Sequence, residues 1–320
     1  MLKIENKFKI LIAETKDFSR EALSALQDMC LVTMDDIAPS SLPQVLQNYD
    51  VLWFRLGFQI MKENLPDPLR CKYIVCPVTG LDHIDLNACE KAGIKVLSLR
   101  GETAFLREVR ATAEHTIGLT LALLRLLPQA VSSVKQLTWD RDRFKGHEIY
   151  GKTVGILGVG RLGSITAGYF KAMGAHVIGY DIVPFDETIC EPVADMESLL
   201  EQSDIISIHV NYNKANHHLL SFNAFSKMKR GSILINTARG GVVNSEALIQ
   251  ALKNETLKGA AIDVVEQEFD AANDLVVRYA QSNDHLIITP HIGGNTVESF
   301  AKTELFMVQK LRHALNSIHA

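Results

Sequence analysis

The segment Gly158-Val159-Gly160-Arg161-Leu162-Gly163 follows an apolar run, Thr153–Leu157, and opens a helix-forming stretch, Arg161–Met173. Few folds accommodate that succession. A buried strand must turn sharply, bring its backbone close to something, and pass at once into a helix. Gly158 suits the tight turn, Gly160 lets the backbone approach a phosphate, and Gly163 allows helix and strand to pack closely. The amides near Arg161 and Leu162 then face outward with the helix dipole behind them, a ready site for a diphosphate. The next strand, His176–Asp181, ends in a carboxylate that accepts ribose hydroxyls and repels a 2′-phosphate. Ile182-Val183-Pro184 supplies no arginine to reward such a phosphate. The pattern predicts a dinucleotide turn, with NAD preferred over NADP.

The rest of the chain alternates in the same way. Runs at Phe8–Ala13, Val51–Phe54, Tyr73–Cys76 and Val96–Ser98 read as buried strands, with helix-forming segments such as Arg20–Met29 and Leu86–Ala92 between them. Gly93 stands where a left-handed cap is expected after the second of these. A second series follows Gly151: strands at Thr153–Leu157, His176–Asp181, Ile205–His209, Ser232–Asn236, Gly259–Val264 and Leu286–Thr289, with helices such as Ser245–Lys253 intervening. Strand–helix alternation implies parallel sheets covered on both faces. Two long helical stretches, Ala111–Leu127 and the one after Thr296 with Val297, Phe300, Val308, Leu311 and Leu315 at helical spacing, carry no strand pattern and are suited to join two domains. A chain of 320 residues has room for two domains.

A formal charge of −4 gives no electrostatic reason to expect nucleic acid. The apolar stretch at Ile117–Leu127 is cut by Arg125 and Pro128, too short for a membrane span. Met1-Leu2-Lys3-Ile4-Glu5 leads into no apolar export segment, so a cytoplasmic location is expected. The five cysteines, Cys30, Cys71, Cys76, Cys89 and Cys190, are scattered and odd in number, which predicts buried free thiols. His217-His218 has no third ligand near it in sequence and reads as a solvated loop, so no metal is expected.

Three further segments end strands of the second series, where a doubly wound sheet places its ligand crevice: Ile235–Gly241, Ile262–Glu268 and Thr289–Gly294. They bring one arginine, several carboxylates and one histidine to the mouth of an NAD site. Hydride transfer to a ketone needs a proton donor that works near neutral pH and a cation for the substrate carboxylate. Histidine and arginine suit those roles, and a carboxylate beside the histidine stabilises imidazolium.

These motifs, in this order, resemble those of the D-isomer-specific 2-hydroxyacid dehydrogenase family, near its 3-phosphoglycerate dehydrogenase branch. Gly80-Leu81-Asp82-His83-Ile84-Asp85, Ala113-Glu114-His115-Thr116 and Gly151-Lys152-Thr153-Val154-Gly155-Ile156 carry the likeness along nearly the whole chain. The resemblance implies an α/β protein of two doubly wound, Rossmann-like parallel-sheet domains with the active site in the cleft between them. The substrate domain, flavodoxin-like and discontinuous, would take residues 1–110 and 293–320, and the NAD domain residues 111–292. Arg239 would hold the substrate carboxylate, His291 would exchange the proton, and Glu268 would pair with His291, with Glu266 as the rival partner. Asp263 would bind the nicotinamide carboxamide, and Thr237 and Ala238 would line the ring. Gly80 and Arg55 would serve the substrate. A homodimer is implied, and a chain ending at Ala320 is expected to lack the regulatory domain of some relatives.

Three departures from the family pattern stand out. Phe269 replaces the proline that usually follows the glutamate, Val210-Asn211-Tyr212-Asn213-Lys214 replaces a proline-rich loop, and Arg100–Arg110 is longer than usual. Within that last loop Arg107 and Arg110, with Arg100, either bind a second anionic group of the substrate or pair with Glu102 and Glu108. The substrate expected is a 2-hydroxy/2-keto acid, among them 3-phosphoglycerate, glyoxylate, hydroxypyruvate and sugar-derived acids. The contrasting reading is an NAD-sensing binding protein resembling the family's corepressor relatives.

Overall fold

Twelve strands, all in parallel pairings, form two separate sheets among the described residues. The computed structural model describes residues 7–317, so the N-terminal residues on which the export reading rests lie outside it. The chain divides into two compact units: residues up to Val109 with those from Asn295 onward, and Arg110–Gly294.

The first unit runs β1 (Phe8–Ile12), α1 (Arg20–Gln27), β2 (Cys30–Met34), α2 (Leu42–Asn48), β3 (Val51–Trp53), β4 (Tyr73–Cys76), α3 (Leu86–Lys91), β5 (Lys95–Ser98) and α4 (Thr103–Leu106). Its sheet order, β2-β1-β3-β4-β5, is the flavodoxin-like winding. Side chains alternate across the sheet as a strand period of two requires. Ile10, Ile12, Trp53 and Val75 fill one layer, while Leu11, Leu52, Phe54 and Ile74 fill the other. Ser19 and Asp85 cap α1 and α3 through the amides of Ala22 and Ala88, and Gly93 takes its left-handed turn at φ +78°.

The second unit runs α5 (Ala111–Leu124), α6 (Leu127–Lys135), β6 (Thr153–Leu157), α7 (Arg161–Ala172), β7 (His176–Tyr180), β8 (Glu191–Pro192), α8 (Met196–Gln202), β9 (Ile205–Ile208), α9 (Phe222–Ser226), β10 (Ser232–Asn236), α10 (Ser245–Lys253), β11 (Leu257–Ile262), α11 (Leu275–Ala280) and β12 (Leu286–Ile288). The order β12-β11-β10-β9-β6-β7-β8 is a Rossmann winding extended by one strand, with its switch point between β6 and β9. The closing helix, α12 (Val297–Asn316), returns to the first unit and lays Met307, Val308, Leu311 and Leu315 on its sheet.

Four sequence expectations need correction. The stretch Ala111–Leu127 is two helices, because Leu126 turns left-handed (φ 53°) and Pro128 cannot continue the ladder of α5. β2 is a strand that apolar periodicity did not mark, since three of its five residues are exposed and only Cys30 is fully buried. β8 is two exposed residues. Val297 is 84% exposed at the first turn of α12 and takes no part in the core. All five cysteines are free and buried, and no single helix among the described residues is long and apolar enough to cross a membrane.

Candidate active site

The glycine turn is built as its spacing requires. Gly158 sits at φ +95°, and a Cβ there would lie 2.8 Å from the carbonyl carbon of His209 on the neighbouring strand end. A Cβ on Gly163 would meet Gly158 O at 2.0 Å, so helix and turn touch only because both are glycine. Gly160 faces open space. The α7 ladder starts with Ser164 N donating to Gly160 O, which leaves the amides of Arg161 and Leu162 at the free end of the helix. Asp181, just past β7, accepts from Val159 N (2.8 Å) and Val183 N (3.1 Å), so the acid is pinned to the turn it is expected to serve. His209, at the end of β9, was not singled out from sequence. Desolvation pushes its imidazole down to about 4, and its Nε2 lies 2.8 Å from Ser207 Oγ.

The three adjacent strand ends β10, β11 and β12 carry the other candidates. Asn236 shapes the first turn: its Oδ1 accepts from Ala238 N and its Nδ2 donates to Arg239 O, both at 3.0 Å. That turn presents Thr237, Ala238 and a half-exposed Arg239, whose Nη1 donates to Ala238 O at 2.7 Å. A Cβ on Gly240 would sit 2.0 Å from the carbonyl carbon of Val265, so the arginine turn lies flush against the loop that follows β11.

Glu268 and His291 meet: His291 Nδ1 lies 2.7 Å from Glu268 Oε2. The carboxylate only accepts, so Nδ1 carries a proton and Nε2 is left to work on a substrate. His291 is held at φ +52°, a left-handed conformation uncommon outside glycine. Asp263 explains how it is held. This residue is 2% exposed, and its Oδ1 accepts from Thr289 Oγ1 (2.5 Å) and Ile292 N (2.9 Å), its Oδ2 from Gly293 N (2.7 Å). Its carbonyl accepts His291 N at 2.8 Å. Burial alone would raise the Asp263 carboxyl, but donors from His115, Thr289, Ile292 and Gly293 outweigh it and hold the pKa below the usual range. The first duty of Asp263 is therefore to fasten the 289–293 turn. His115, 3.3 Å from Asp263 Oδ1 and 3.0 Å from Thr289 Oγ1, is a supporting residue that the sequence reading missed as such. No local pattern ties position 115 to 263 or 289.

Glu266, the rival partner of His291, is engaged elsewhere. It accepts from Ser245 Oγ and His218 Nε2. The pair His217-His218 therefore does have a third group beside it, close enough in space to form a metal triad. Hydrogen bonding argues against that use. Asn244 Oδ1 accepts from Ala247 N (2.8 Å), which orients its amide so that Nδ2 donates to His218 Nδ1 (3.1 Å). Nε2 then holds the ring proton and has no lone pair for a metal.

In the first unit, Arg55 follows β3 and Gly80 lies in the loop after β4. Arg55 Nη2 donates to Glu14 O (3.1 Å) and Lys16 O (2.8 Å), and its guanidinium lies 4.3 Å from the centre of the Phe300 ring. This is the β1/β3 switch point of that sheet. In the long loop, Phe105 stacks on Phe306 at 4.0 Å and Leu106 is buried, which accounts for its order. Its arginines do not pair as one alternative supposed. Glu102 binds Lys310, and Arg107 and Arg110 are exposed with no ion pair among the described residues. Phe269 is 54% exposed, and the chain direction after Glu268 is set instead by buried Asp274, which accepts from Gln267 N (3.2 Å) and Val276 N (2.8 Å).

Residues 117–293 match the family model described as D-isomer specific 2-hydroxyacid dehydrogenase, NAD binding domain. D-3-phosphoglycerate dehydrogenase of Methanocaldococcus jannaschii is 32% identical over 312 residues, covering 96% of this chain and 57% of that protein. Hydroxypyruvate reductase of Thermotoga maritima is 30% identical over 305 residues, covering 95% of this chain and 97% of that one. The chain thus spans little more than half the length of the first relative and nearly all of the second. Among solved structures, D-lactate dehydrogenase from Aquifex aeolicus complexed with NAD and lactic acid superposes with a TM-score of 0.83 at 29% identity, covering 97% of this chain and 96% of that one.

Proposed function

The chain belongs to the D-isomer specific 2-hydroxyacid dehydrogenase family, and from that premise we propose that it interconverts a D-2-hydroxy acid and its 2-keto acid, with NAD as cofactor. The observation that carries the proposal is the Glu268–His291 pair, set on the same sheet end as Arg239 and in the same unit as the glycine turn. The residues present suit NAD: close-packed Gly158 and Gly163, open Gly160, the amides of Arg161 and Leu162 in the first turn of α7 for the diphosphate, and Asp181 for the ribose. When bound, NAD supplies the hydride acceptor or donor.

The protein's own residues divide the remaining work. Arg239 grips the substrate carboxylate and orients the carbonyl. His291 Nε2 gives a proton to the C2 oxygen during reduction and takes it back during oxidation. Glu268 keeps Nδ1–H occupied and steadies the imidazolium while Nε2 holds its proton. Thr237, Ala238 and Asp263 would line the nicotinamide, with Asp263 serving its carboxamide. Gly80 and Arg55, whose Nε and Nη1 have no hydrogen-bond partner among the described residues, complete substrate recognition. Arg107 and Arg110, exposed and without an ion pair among the described residues, favour a substrate with a second anionic group, 3-phosphoglycerate and its keto acid before glyoxylate or hydroxypyruvate.

The same chain works as a homodimer in the cytoplasm. Leu127, Val131 and Val134 on one face of α6, with Leu137 (96% exposed) and Trp139 (88% exposed) after it, form an apolar surface suited to a second copy. Five free thiols suit a reducing compartment.

The test is the absorbance of NADH against a panel of 2-keto acids. Consumption with one or more of them is the expected result. NADH binding without turnover on any of them would favour a sensing protein, and no NADH binding would overturn the proposal. Light scattering on the same preparation tests the dimer, and a monomer that persists at high concentration removes it.

A further inference from the structure

The loop from Val264 to Glu268 has to deliver one carboxylate to His291, and it contains a second that points elsewhere. Glu266 is half-buried and takes donors from two different elements: Ser245 Oγ, at the first position of α10, and His218 Nε2, from the loop after β9. Its pKa is lowered; burial opposes this, and the hydrogen bonds from Ser245 and His218 prevail. It is thus a charged group that no step of the proposed reaction uses.

His218 is itself fastened on three sides. Its backbone is left-handed at φ +54°, its amide donates to Gly241 O (2.8 Å), and its Nδ1 accepts from the Asn244 amide (3.1 Å). A left-handed histidine persists only where its surroundings over-determine it. The His217 ring stacks on it at 3.8 Å. The loop after β9, the segment Gly240–Ser245 and the loop after β11 are therefore joined through one imidazole and one carboxylate. Gly240 adds a steric tie, since its missing Cβ would fall 2.0 Å from the Val265 carbonyl carbon and 2.5 Å from Glu266 N.

We infer that Glu266 and His218 are positioning residues: they fix the loop after β11 against the Arg239 turn, so that Glu268 meets His291 Nδ1 while Arg239 keeps its place beside them. The inference rests on the functional reading above, because it assigns Glu268, His291 and Arg239 to one reaction. Only Gln267 separates Glu266 from Glu268, so a swing of the first displaces the second. Misplacement of a catalytic group by about 1 Å can cost about 10²-fold in rate.

The experiment is a double-mutant cycle. Glu266→Gln alone should lower kcat for 2-keto acid reduction by roughly 10- to 100-fold, with KM for NADH changed by less than about threefold. In a Glu268→Gln background the same substitution should cost less than about twofold more, because it acts through Glu268. Ser245→Ala, a smaller loss for use where Glu266→Gln does not fold, should give about 3- to 10-fold by the same route. Hydrogen exchange gives a readout independent of turnover: amides of residues 264–268 should exchange faster in Glu266→Gln, while those of β6 and α7 stay as in the wild type. Additive losses in the cycle, unchanged kcat, or unchanged exchange at 264–268 would overturn the inference. If the wild-type chain reduces no 2-keto acid, the functional reading fails, and the exchange measurement alone decides whether the network holds the loop.

Discussion

Replacing Asp263 by Asn tests how the proton-transfer histidine is held. The wild-type carboxylate is 2% exposed and accepts from Thr289 Oγ1, Ile292 N and Gly293 N at 2.5–2.9 Å. An amide of the same shape keeps one oxygen. If that oxygen stays with Thr289 and Ile292, its NH2 faces the buried Gly293 amide, donor against donor. One buried N–H left without an acceptor costs about 1–3 kcal/mol, and two charge-assisted bonds become neutral ones, so the expected loss is about 2–4 kcal/mol. The pH dependence has a definite sign. The folded-state carboxyl lies below its unfolded value, so its contribution is present above an unfolded pKa of about 3.9 and is lost as pH falls through the folded value. The difference between wild type and Asp263→Asn should therefore be largest near neutrality and shrink in acid, where the wild-type group is itself protonated. Urea titration read by hydrogen exchange in β11 and β12 isolates the unit concerned. A difference below about 1 kcal/mol at pH 7, or one that grows as pH falls, would refute the reasoning.

Other expectations follow from single contacts. His291→Asn should reduce kcat by at least about 10²-fold in steady-state assays, with the NADH dissociation constant within about twofold of wild type, because the imidazole acts on substrate and not on cofactor. Asp181→Ser removes the ribose acceptor and the charge that repels a 2′-phosphate, so the ratio of NADP to NAD turnover should rise; a wild type that already prefers NADP would sink that argument. Arg107→Ala and Arg110→Ala, made singly, should penalise 3-phosphohydroxypyruvate about 10- to 150-fold more than hydroxypyruvate in kcat/KM, the scale of one lost charge-assisted contact. Equal losses on both substrates would leave the loop with its packing role through Phe105 and Leu106 alone.

The fold was legible wherever an apolar run or a glycine had a purely local reason. β4, β6, β10 and α10 fall on their expected residues, and both sheets follow the strand–helix alternation. The reading failed where a neighbour in space supplies what the sequence lacks. β2 has three exposed residues among its five and exists because all five pair with β1. The pairing of Glu268 with His291, in place of Glu266, was expected from resemblance, but its cause was not visible. Two carboxylates in one loop are sorted by donors at 218 and 245 for Glu266 and by the 289–293 turn for Glu268. The same holds for His291. Pro290 and Gly293-Gly294 flank it in sequence, yet its left-handed backbone depends on Asp263, whose side chain grips groups 26 to 30 positions away. Periods of 2 and 3.6 report only which side of an element is buried. Asp263 and Glu266 both lie past the end of β11, where no period applies, and a carboxylate as buried as Asp263 is stable only if donors from other segments converge on it. A charged residue directly after a buried parallel strand thus signals that distant loops meet at that point, and here the loops that meet carry Arg239, Glu268 and His291.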